Sequence, residues 1–476
     1  MTDKQQLLSD FKFYSSYSKF KKEDERMETW EEAIDRVMQM HYKKYENKIT
    51  PKLQDYLNFA TKQYKEKRIL GSQRALQFGG DSILKHEMKQ FNCLVSYCDR
   101  VEFFKEAMYL LLCGCGVGFS VQTLHVEKLP MIGKRIEGVK TFLIEDSIEG
   151  WADAIGVLLA SYSLSDIKFQ DYYGYRIDFD YSNIRPKGSY ISGGFKAPGY
   201  EGLKNSLTKI QELLDKEING NVQIPLKSII AYDIVMHMAD AVLSGGVRRS
   251  ATICLFSATD NDMLNAKTGD WYIKNPQRGR SNNSVILIRN KTSKELFSKI
   301  MESVKSWGEP GFVWSSNEDI IYNPCVEIGM TPYYIDENEN KISGWEGCNL
   351  TEINGSKCNS EQEFYDACKA SAILGTLQAG YTNFKYVTDV TKKIFDKEAL
   401  LGCSITGFMN NPVILFNPEI QKKGAEIIKE TNKIISLLIG INQAARTTCV
   451  KPSGNASVIL GTASGIHGEH SKKYFR

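Results

Sequence analysis

The chain has 476 residues, of which 42% are hydrophobic and 25% are charged, and its formal net charge is +3. These values are typical of a globular enzyme with a large core, and they do not support a nucleic-acid-binding surface. No segment reaches the ~18 uninterrupted apolar residues of a membrane span, and the first residues lack the apolar core of a signal peptide. We therefore expect a cytoplasmic protein that binds neither nucleic acid nor a membrane.

The composition and the hydrophobic pattern of the chain change at about residue 70. Residues 1–70 are rich in Lys, Glu, Gln and Tyr, and METWEEAIDRVMQMHYKKY predicts an N-terminal helical segment with a solvated charged face. From residue 71 onward, short apolar runs alternate with the longer helical patterns FFKEAMYLLLC, IEGWADAIGVLLASYS and IIAYDIVMHMADAVL. This alternation predicts an α/β fold, and the lack of a repeat or a linker predicts one domain over 71–476.

Two glycine-rich stretches are candidates for binding. CGCGVGFSV, at 113–121, follows an apolar helix, so its glycines fit a helix stop and a tight turn. KPSGNASVILGTASGIHGEH, at 451–470, fits a plain turn or a loop whose backbone N–H groups bind phosphate, with Ser453 and Ser457 as further donors. Neither stretch is a Walker loop or a dinucleotide fingerprint, which disfavours kinases and Rossmann dehydrogenases.

The eleven cysteines are scattered and odd in number, so we expect thiols rather than a disulfide framework. Cys254, Cys368, Cys403 and Cys449 have apolar or small neighbours and are predicted to be buried and inert. We expect no metal site, because paired C-x-x-C knuckles are absent and no further ligand completes the H-x-x-H pair His467 and His470.

The segment NPCVEIGMTPYYIDENENKISGWEGCNLTEING, at 323–355, is the strongest candidate for chemistry. If its first residues are extended, Asn323, Cys325 and Glu327 project from one face. DENENK has the composition of a hairpin loop, which predicts that the chain folds back and brings Cys348 beside Cys325.

Six motifs together resemble one family. NPCVEI, GCNLTEING, FNCLVSYCD, DYSNIRPKGSYISGGFKAPG, SGGVRRSA and KPSGNASVILGTASGIH match the large chains of ribonucleotide reductases in order and spread. Their details are most similar to the class II, adenosylcobalamin-dependent type of phages and bacteria, over about residues 20–476. The resemblance implies a ten-stranded α/β barrel with a central finger loop, and adenosylcobalamin as the cofactor.

The resemblance also implies roles for the reactive residues. A thiyl radical on Cys325 would take the 3′ hydrogen of a ribonucleotide, Glu327 would accept the 3′ hydroxyl proton, and Asn323 would hydrogen-bond the ribose. Two cysteines on adjacent barrel strands would supply the reducing electrons, and these match Cys348 and Cys93. Cys98 is an odd number of residues from Cys93, so only one of the two faces the barrel on a single strand. Cys93 directly follows Asn92, as in the family motif.

The same resemblance implies a substrate site. Its ribose would lie near Asn92, Gly116 and Gly118, and its phosphates would lie at a loop formed by Ser453, Gly454, Asn455, Ala456 and Ser457. Asn455 departs from the threonine that is common in the family, although an amide still donates a hydrogen bond.

The sequence ends at KKYFR, before the last barrel strands and the cysteine tail that the resemblance leads us to expect. We therefore expect a C-terminally incomplete chain that needs a complementary C-terminal polypeptide for activity. The other expected partners are a ribonucleotide substrate, a nucleotide effector bound within residues 140–290, and a thioredoxin-like or other dithiol reductant.

Two alternatives stay open from the sequence. The first is a class I large subunit with no cofactor in this chain, whose radical comes from a ferritin-like partner subunit. The second is an inactive nucleotide-binding homologue or one half of a split enzyme, although the presence of Cys93, Cys325, Glu327 and Cys348 disfavours inactivity.

Overall fold

The computed structural model describes residues 3–163, 167–190, 196–243, 251–468 and 471. Residues 244–250 of the motif SGGVRRSA lie outside the described residues, as do 191–195 of the motif that precedes it. His470 and the final residues 472–476 also lie outside them.

The α-helices in these ranges are α1 (Asp3–Ser16), α2 (Trp30–Lys44), α3 (Pro51–Lys65), α4 (Gln73–Phe78), α5 (Asp81–Lys85), α6 (Glu102–Leu112), α7 (Thr123–Val126), α8 (Ile148–Ala160), α9 (Glu201–Ile218), α10 (Ser228–Leu243), α11 (Asn261–Leu264), α12 (Trp271–Lys274), α13 (Lys294–Trp307), α14 (Glu361–Ala379), α15 (Asp389–Glu398), α16 (Pro412–Leu415), α17 (Pro418–Ile439) and α18 (Asn455–Leu460).

The strands are β1 (Phe20–Lys21), β2 (Arg26–Met27), β3 (Ile69–Leu70), β4 (Cys93–Tyr97), β5 (Gly116–Ser120), β6 (Ile132–Gly133), β7 (Val139–Leu143), β8 (Arg176–Asp180), β9 (Gln223–Ile224), β10 (Thr252–Ser257), β11 (Ser281–Ile288), β12 (Gly311–Ser315), β13 (Ile321–Tyr322), β14 (Gly329–Met330), β15 (Tyr333–Ile335), β16 (Lys341–Ser343), β17 (Glu346–Gly347), β18 (Leu350–Asn354) and β19 (Gly402–Thr406).

The predicted α/β class is confirmed, and each of the four predicted helical patterns forms a helix, namely α2, α6, α8 and α10. Local signals explain where two of these helices begin. Thr29 and Glu32 form a capping box at the start of α2, and Ser147 accepts a hydrogen bond from Gly150 at the start of α8.

The described residues form two compact units, which do not coincide with the predicted boundary at residue 70. The first unit comprises Met1–Asn92, Gly347–Lys385 and Lys392–Arg476, and the second comprises Cys93–Glu346 and Tyr386–Thr391. The division into a helical segment, 1–70, and a barrel domain, 71–476, stays a prediction.

A six-stranded sheet, in the order β12-β11-β10-β5-β4-β17, is the core of the second unit. The strands from β4 to β12 pair in parallel, and every residue of β4 and β5 is buried. Burial along the whole strand is typical of a parallel sheet that is covered on both faces.

The first unit has a three-stranded sheet, in the order β19-β18-β3, in which β18 and β19 run parallel. Long helices α14 and α17 pack against each other in this unit, and α1 packs against α18. The two sheets are compatible with the expected architecture, but a closed ten-stranded barrel with a finger loop stays a prediction.

Within the described ranges, no helix is both long and apolar enough to cross a membrane. The same part of the chain contains no group of three or more His, Cys, Asp or Glu side chains arranged to hold a metal ion.

Candidate active site

Cys325 lies at the tip of a short hairpin formed by β13 and β14 in the second unit. The backbone turns at this tip instead of continuing extended, because Val326 N donates to Asn323 O over 2.8 Å. The backbone is therefore not extended at 323–327, so the strand alternation from which a shared face was predicted does not apply. Asn-Pro is itself a turn signal, since proline is favoured at the second position of a turn, and this signal in the sequence was missed.

The hairpin is held by one side chain and contains one unfavourable residue. The Oδ1 atom of Asn323 accepts a hydrogen bond from Ile328 N at 3.1 Å, and Asn323 is fully buried. Val326 has a φ of +64°, a left-handed conformation that a β-branched residue rarely adopts. Between them, Cys325 is an exposed residue.

Two buried polar atoms flank Cys325 in sequence and have no hydrogen-bond partner among the described residues. They are Nδ2 of Asn323, a donor, and Oε2 of Glu327, an acceptor. A buried polar atom without a partner is costly and rare in folded proteins. The pair therefore points to a ligand with a complementary acceptor and donor.

The hairpin packs on the strands that carry Cys93. A Cβ atom added to Gly116 would lie 3.2 Å from Cys93 Sγ and 3.3 Å from Pro324 Cγ, and one added to Gly118 would lie 2.6 Å from Tyr322 O. Both glycines belong to β5 and not to a turn, which corrects the sequence prediction. These glycines let the Cys93 thiol and the hairpin lie close to β5, because a side chain at either position would collide with the buried thiol or with the hairpin.

In the first unit, residues 451–454 lead into α18, and Gly454 has a φ of +46°. The hydroxyl of Ser453 donates to Glu352 Oε1 at 2.7 Å, and that of Ser457 donates to Gly454 O at 2.8 Å. Both hydroxyl protons are thus used within the protein, contrary to the predicted donation to phosphate.

Two further residues of the phosphate-loop candidate have structural contacts. The Nδ2 atom of Asn455 donates to Tyr17 Oη at 3.4 Å. The asparagine that replaces the family's common threonine therefore contacts the N-terminal segment. Ala456 is buried, and its N–H donates to Ser453 O at 2.8 Å. These contacts fix the loop, and its binding of phosphate stays a prediction.

A buried ion pair beneath this loop was missed by sequence reasoning. Lys451 Nζ lies 2.6 Å from Glu352 Oε2, and the two side chains are 14% and 2% exposed. Burial lowers the pKa of Lys451, but the nearby Glu352 carboxylate raises it more, so it remains above the ordinary value. Cys449 and Cys348 raise the pKa of Lys451 further.

The eleven cysteines, all within the described residues, are thiols in the structure. Cys254, Cys368 and Cys403 are buried, as predicted, and burial raises the pKa of each thiol, which makes it unreactive. Cys449 is only half-buried, contrary to prediction. Burial likewise raises the pKa of Cys98.

The predicted site residues divide between the units. Cys93, Gly116, Gly118, Asn323, Cys325 and Glu327 lie in the second unit, whereas Asn92, Cys348 and the 453–457 loop lie in the first. Cys348 is 2% exposed and lies between β17 and β18. The predicted pairing of Cys93 with Cys348, and the predicted approach of Cys348 to Cys325, stay predictions.

The predicted hairpin at DENENK is confirmed, because β15 pairs with β16 in antiparallel fashion.

Comparison with known proteins identifies homologues. A probable adenosylcobalamin-dependent ribonucleoside-triphosphate reductase of Dictyostelium discoideum is 29% identical over 355 residues, which are 70% of this chain and 43% of that protein. Adenosylcobalamin-dependent ribonucleoside-triphosphate reductases of Lactobacillus delbrueckii subsp. bulgaricus and Euglena gracilis are each 26% identical, covering 75% and 79% of this chain and 55% and 50% of theirs. The chain thus spans about half the length of these relatives. No protein-family model matches it.

Solved structures share the fold. A B12-dependent, class II ribonucleotide reductase superimposes with a TM-score of 0.82 and 20% identity, covering 97% of this chain and 75% of that one. The class Id ribonucleotide reductase alpha subunit of Actinobacillus ureae reaches a TM-score of 0.54 at 10% identity. The fold is therefore more similar to the class II structure than to the class Id subunit, and the curated relatives named above are adenosylcobalamin-dependent.

Proposed function

We propose that this chain, a homologue of the adenosylcobalamin-dependent ribonucleotide reductases, reduces ribonucleotides to 2′-deoxyribonucleotides through a thiyl radical on Cys325. The observation that carries the proposal is the tip of the β13–β14 hairpin. Cys325 is an exposed residue there, and the residues two positions before and after it hold an unpartnered buried donor, Asn323 Nδ2, and an unpartnered buried acceptor, Glu327 Oε2. A ribose carries the hydroxyl groups that complement both.

The residues of the hairpin divide the first step among them. The Cys325 radical abstracts the 3′ hydrogen atom and becomes a thiol, while Glu327 takes the proton of the 3′ hydroxyl. Asn323 donates to a ribose oxygen and holds the sugar in place. Since these groups act on neighbouring atoms of one sugar, a rigid hairpin that fixes their spacing lowers the entropic cost of the reaction.

The second step consumes two electrons and releases the 2′ oxygen as water. We assign the electrons to Cys93 and Cys348, whose two thiols become one disulfide and release two protons. The Cys325 thiol then returns a hydrogen atom to C3′, which regenerates its radical. A thioredoxin-like or other dithiol reduces the disulfide, and further turnovers depend on it. Both cysteines are buried, which limits direct attack by other oxidants and reductants.

The relatives are named for adenosylcobalamin, and we propose the same cofactor here. When bound, it supplies the one-electron oxidation that converts the Cys325 thiol into a radical. The exposed sulfur at the hairpin tip fits this role, since a buried one could not meet a bulky cofactor.

The substrate is proposed to be a ribonucleoside triphosphate, in line with the names of the relatives. Backbone N–H groups at the start of α18 are proposed to bind its phosphates. A nucleotide effector that binds within residues 140–290 and a complementary C-terminal polypeptide stay predictions.

The test is a reduction assay with a ribonucleoside triphosphate, a dithiol and adenosylcobalamin, run with this chain and any polypeptide encoded downstream of it. We expect a 2′-deoxynucleotide that forms only when the cofactor is present. Reduction without adenosylcobalamin would contradict the class II proposal, and no reduction under any of these conditions would contradict the proposed activity.

A further inference from the structure

The ion pair between Glu352 and Lys451 lies where the phosphate loop meets the strand that follows Cys348. We propose that Glu352 and Lys451 are positioning residues, which fix loop 451–457 against β18 and so set where the substrate phosphates lie relative to Cys348. This inference rests on the proposed function, because it concerns the substrate of the same site.

Two contacts converge on the carboxylate of Glu352. Its Oε2 atom is 2.6 Å from Lys451 Nζ, and its Oε1 atom accepts the Ser453 hydroxyl proton at 2.7 Å. One buried carboxylate therefore holds both ends of the segment that precedes α18. Because a charged group serves as acceptor or donor in both contacts, each is stronger than a bond between neutral groups.

The strand beneath the loop is itself fixed. Glu352 lies in β18, pairs in register with Ser404 of β19 and with Leu70 of β3, and is 1% exposed. Cys348 is four residues before Glu352, and Asn349 O, directly after the cysteine, accepts the N–H of Gly402 at 2.8 Å. The carboxylate thus connects the loop to the strand that begins two residues after Cys348, the proposed redox thiol.

A polar group without a partner marks the same place. Ser404 is fully buried, and its Oγ atom has no hydrogen-bond partner among the described residues. Since it is the register neighbour of Glu352 in a parallel pair, the two side chains lie on one face of the sheet. Burying an ion pair and an unsatisfied hydroxyl costs stability that an apolar core would not lose. This cost favours a role for Glu352 and Ser404 in the site.

A positioning role and a purely structural role predict different results for a double substitution. Glu352→Gln or Lys451→Met alone leaves one charge buried without its partner, which destabilises either way. The double variant removes both charges and restores neutrality, so its stability recovers. The attraction that holds the loop stays absent, so a positioning role predicts a KM for ribonucleotide that stays about tenfold high in the double variant, while kcat changes less.

The matched control is Glu87→Gln. Glu87 Oε1 also lies 2.6 Å from a lysine, Lys44 Nζ, in the same unit, with side chains 5% and 20% exposed. This substitution breaks a pair of the same chemistry and similar burial away from the loop, so it lowers stability and leaves KM unchanged.

The closing experiment combines urea unfolding, ribonucleotide KM and hydrogen exchange of peptides spanning 448–461 in the wild type, both single variants, the double variant and the control. We expect exchange at 451–457 to rise about tenfold in the singles and in the double variant, and to stay unchanged in Glu87→Gln. If KM and loop exchange of the double variant return to wild-type values together with its stability, the positioning role is wrong.

The two proposals fail separately. Loop exchange is measured without turnover, so it tests the positioning pair even if the wild type reduces no ribonucleotide. If a single variant does not fold, the hydrogen exchange of the loop can still be compared between the neutral double variant and the wild type. A wild type that is active, with a double variant of unchanged KM, would retain the proposed function and reject the positioning pair.

Discussion

The hairpin that carries Cys325 and the loop at 451–457 are both candidates for substrate contact, yet they are held in different ways. The hairpin in the second unit is fixed by backbone bonds and by the Asn323 side chain, and its sulfur is exposed. The loop in the first unit is fixed by a buried ion pair and a buried hydroxyl.

The difference follows from the chemistry proposed for each. A sulfur that meets both a cofactor and a sugar has to be accessible, so its support comes from the backbone around it. A loop that binds phosphate through N–H groups needs only a fixed backbone, and side chains beneath it can be buried and charged. The first site is therefore sensitive to its exposed residue, and the second is sensitive to its buried ones.

The largest expected effect comes from the exposed side of this comparison. Cys325→Ala should reduce deoxynucleotide formation by more than about 1,000-fold, since Cys325 is the one thiol in residues 321–330. Its urea unfolding should stay unchanged, because the side chain is exposed. Cys368→Ala is the matched control, and it should lose stability and keep activity because Cys368 is buried. Activity that survives in Cys325→Ala would remove the proposed role.

Asn323 separates the support of the hairpin from contact with the sugar. Asn323→Asp keeps the acceptor for Ile328 N and loses the Nδ2 donor, so kcat/KM should fall about tenfold. Stability should also fall, because the new carboxylate stands at a fully buried position. Asn323→Ala loses both, and we expect a fall of about 100-fold together with about 1–2 kcal/mol of stability. Steady-state kinetics and urea unfolding measure the two effects. Equal kinetics for wild type and Asn323→Asp would exclude the donor role.

Acid should destabilise both units, through one buried histidine in each. Burial lowers the pKa of His41, in the first unit, and of His125, in the second, to about 3. Below pH ~6.5 the unfolded chain binds protons that the folded chain does not, so each histidine costs about 1.4 kcal/mol per pH unit down to the folded pKa. Urea unfolding at pH 7 and pH 5 measures this loss, and His41→Gln or His125→Gln should each remove one such contribution. A slope unaffected by both substitutions would contradict the assignment.

The smallest expected effect concerns Val326. Glycine tolerates its φ of +64°, so Val326→Gly should raise stability by about 0.5–1 kcal/mol, the relief of strain less the added freedom of the unfolded chain. A looser tip should also lower kcat by about threefold. Glu339→Gly, at a φ of +63° in the β15–β16 loop, is the control and should leave kcat unchanged. A stability loss in Val326→Gly would show that the valine side chain packs usefully there.

Sequence patterns predicted the parts of the fold that depend on local signals. The helical periodicity of α2, α6, α8 and α10 and the polar loop between β15 and β16 are such signals. The turn at Asn323 was missed because strand alternation was assumed, although the Asn-Pro dipeptide favours a turn. The glycines of β5 were placed in a turn, since close approach by Tyr322 O and Pro324 is a tertiary fact that no local pattern carries.

The contact between Glu352 and Ser453 was beyond sequence reasoning for a different reason. The two residues are 101 positions apart, and neither stands in a pattern that predicts a contact between them. Family resemblance supplied the candidate residues on both sides, but only the structure shows that the serine hydroxyl is already used by a carboxylate. Burial of charge depends on which strands become neighbours, and this is set by the whole fold.

The most direct test of the central claim is a turnover without external reductant. The chain, with any downstream polypeptide, is incubated with adenosylcobalamin and a ribonucleoside triphosphate, and deoxynucleotide and disulfide-linked peptides are quantified together by mass spectrometry. We predict deoxynucleotide in proportion to a new disulfide between Cys93 and Cys348, with neither product in Cys325→Ala. Deoxynucleotide without that disulfide, or the same disulfide in Cys325→Ala, would contradict the account.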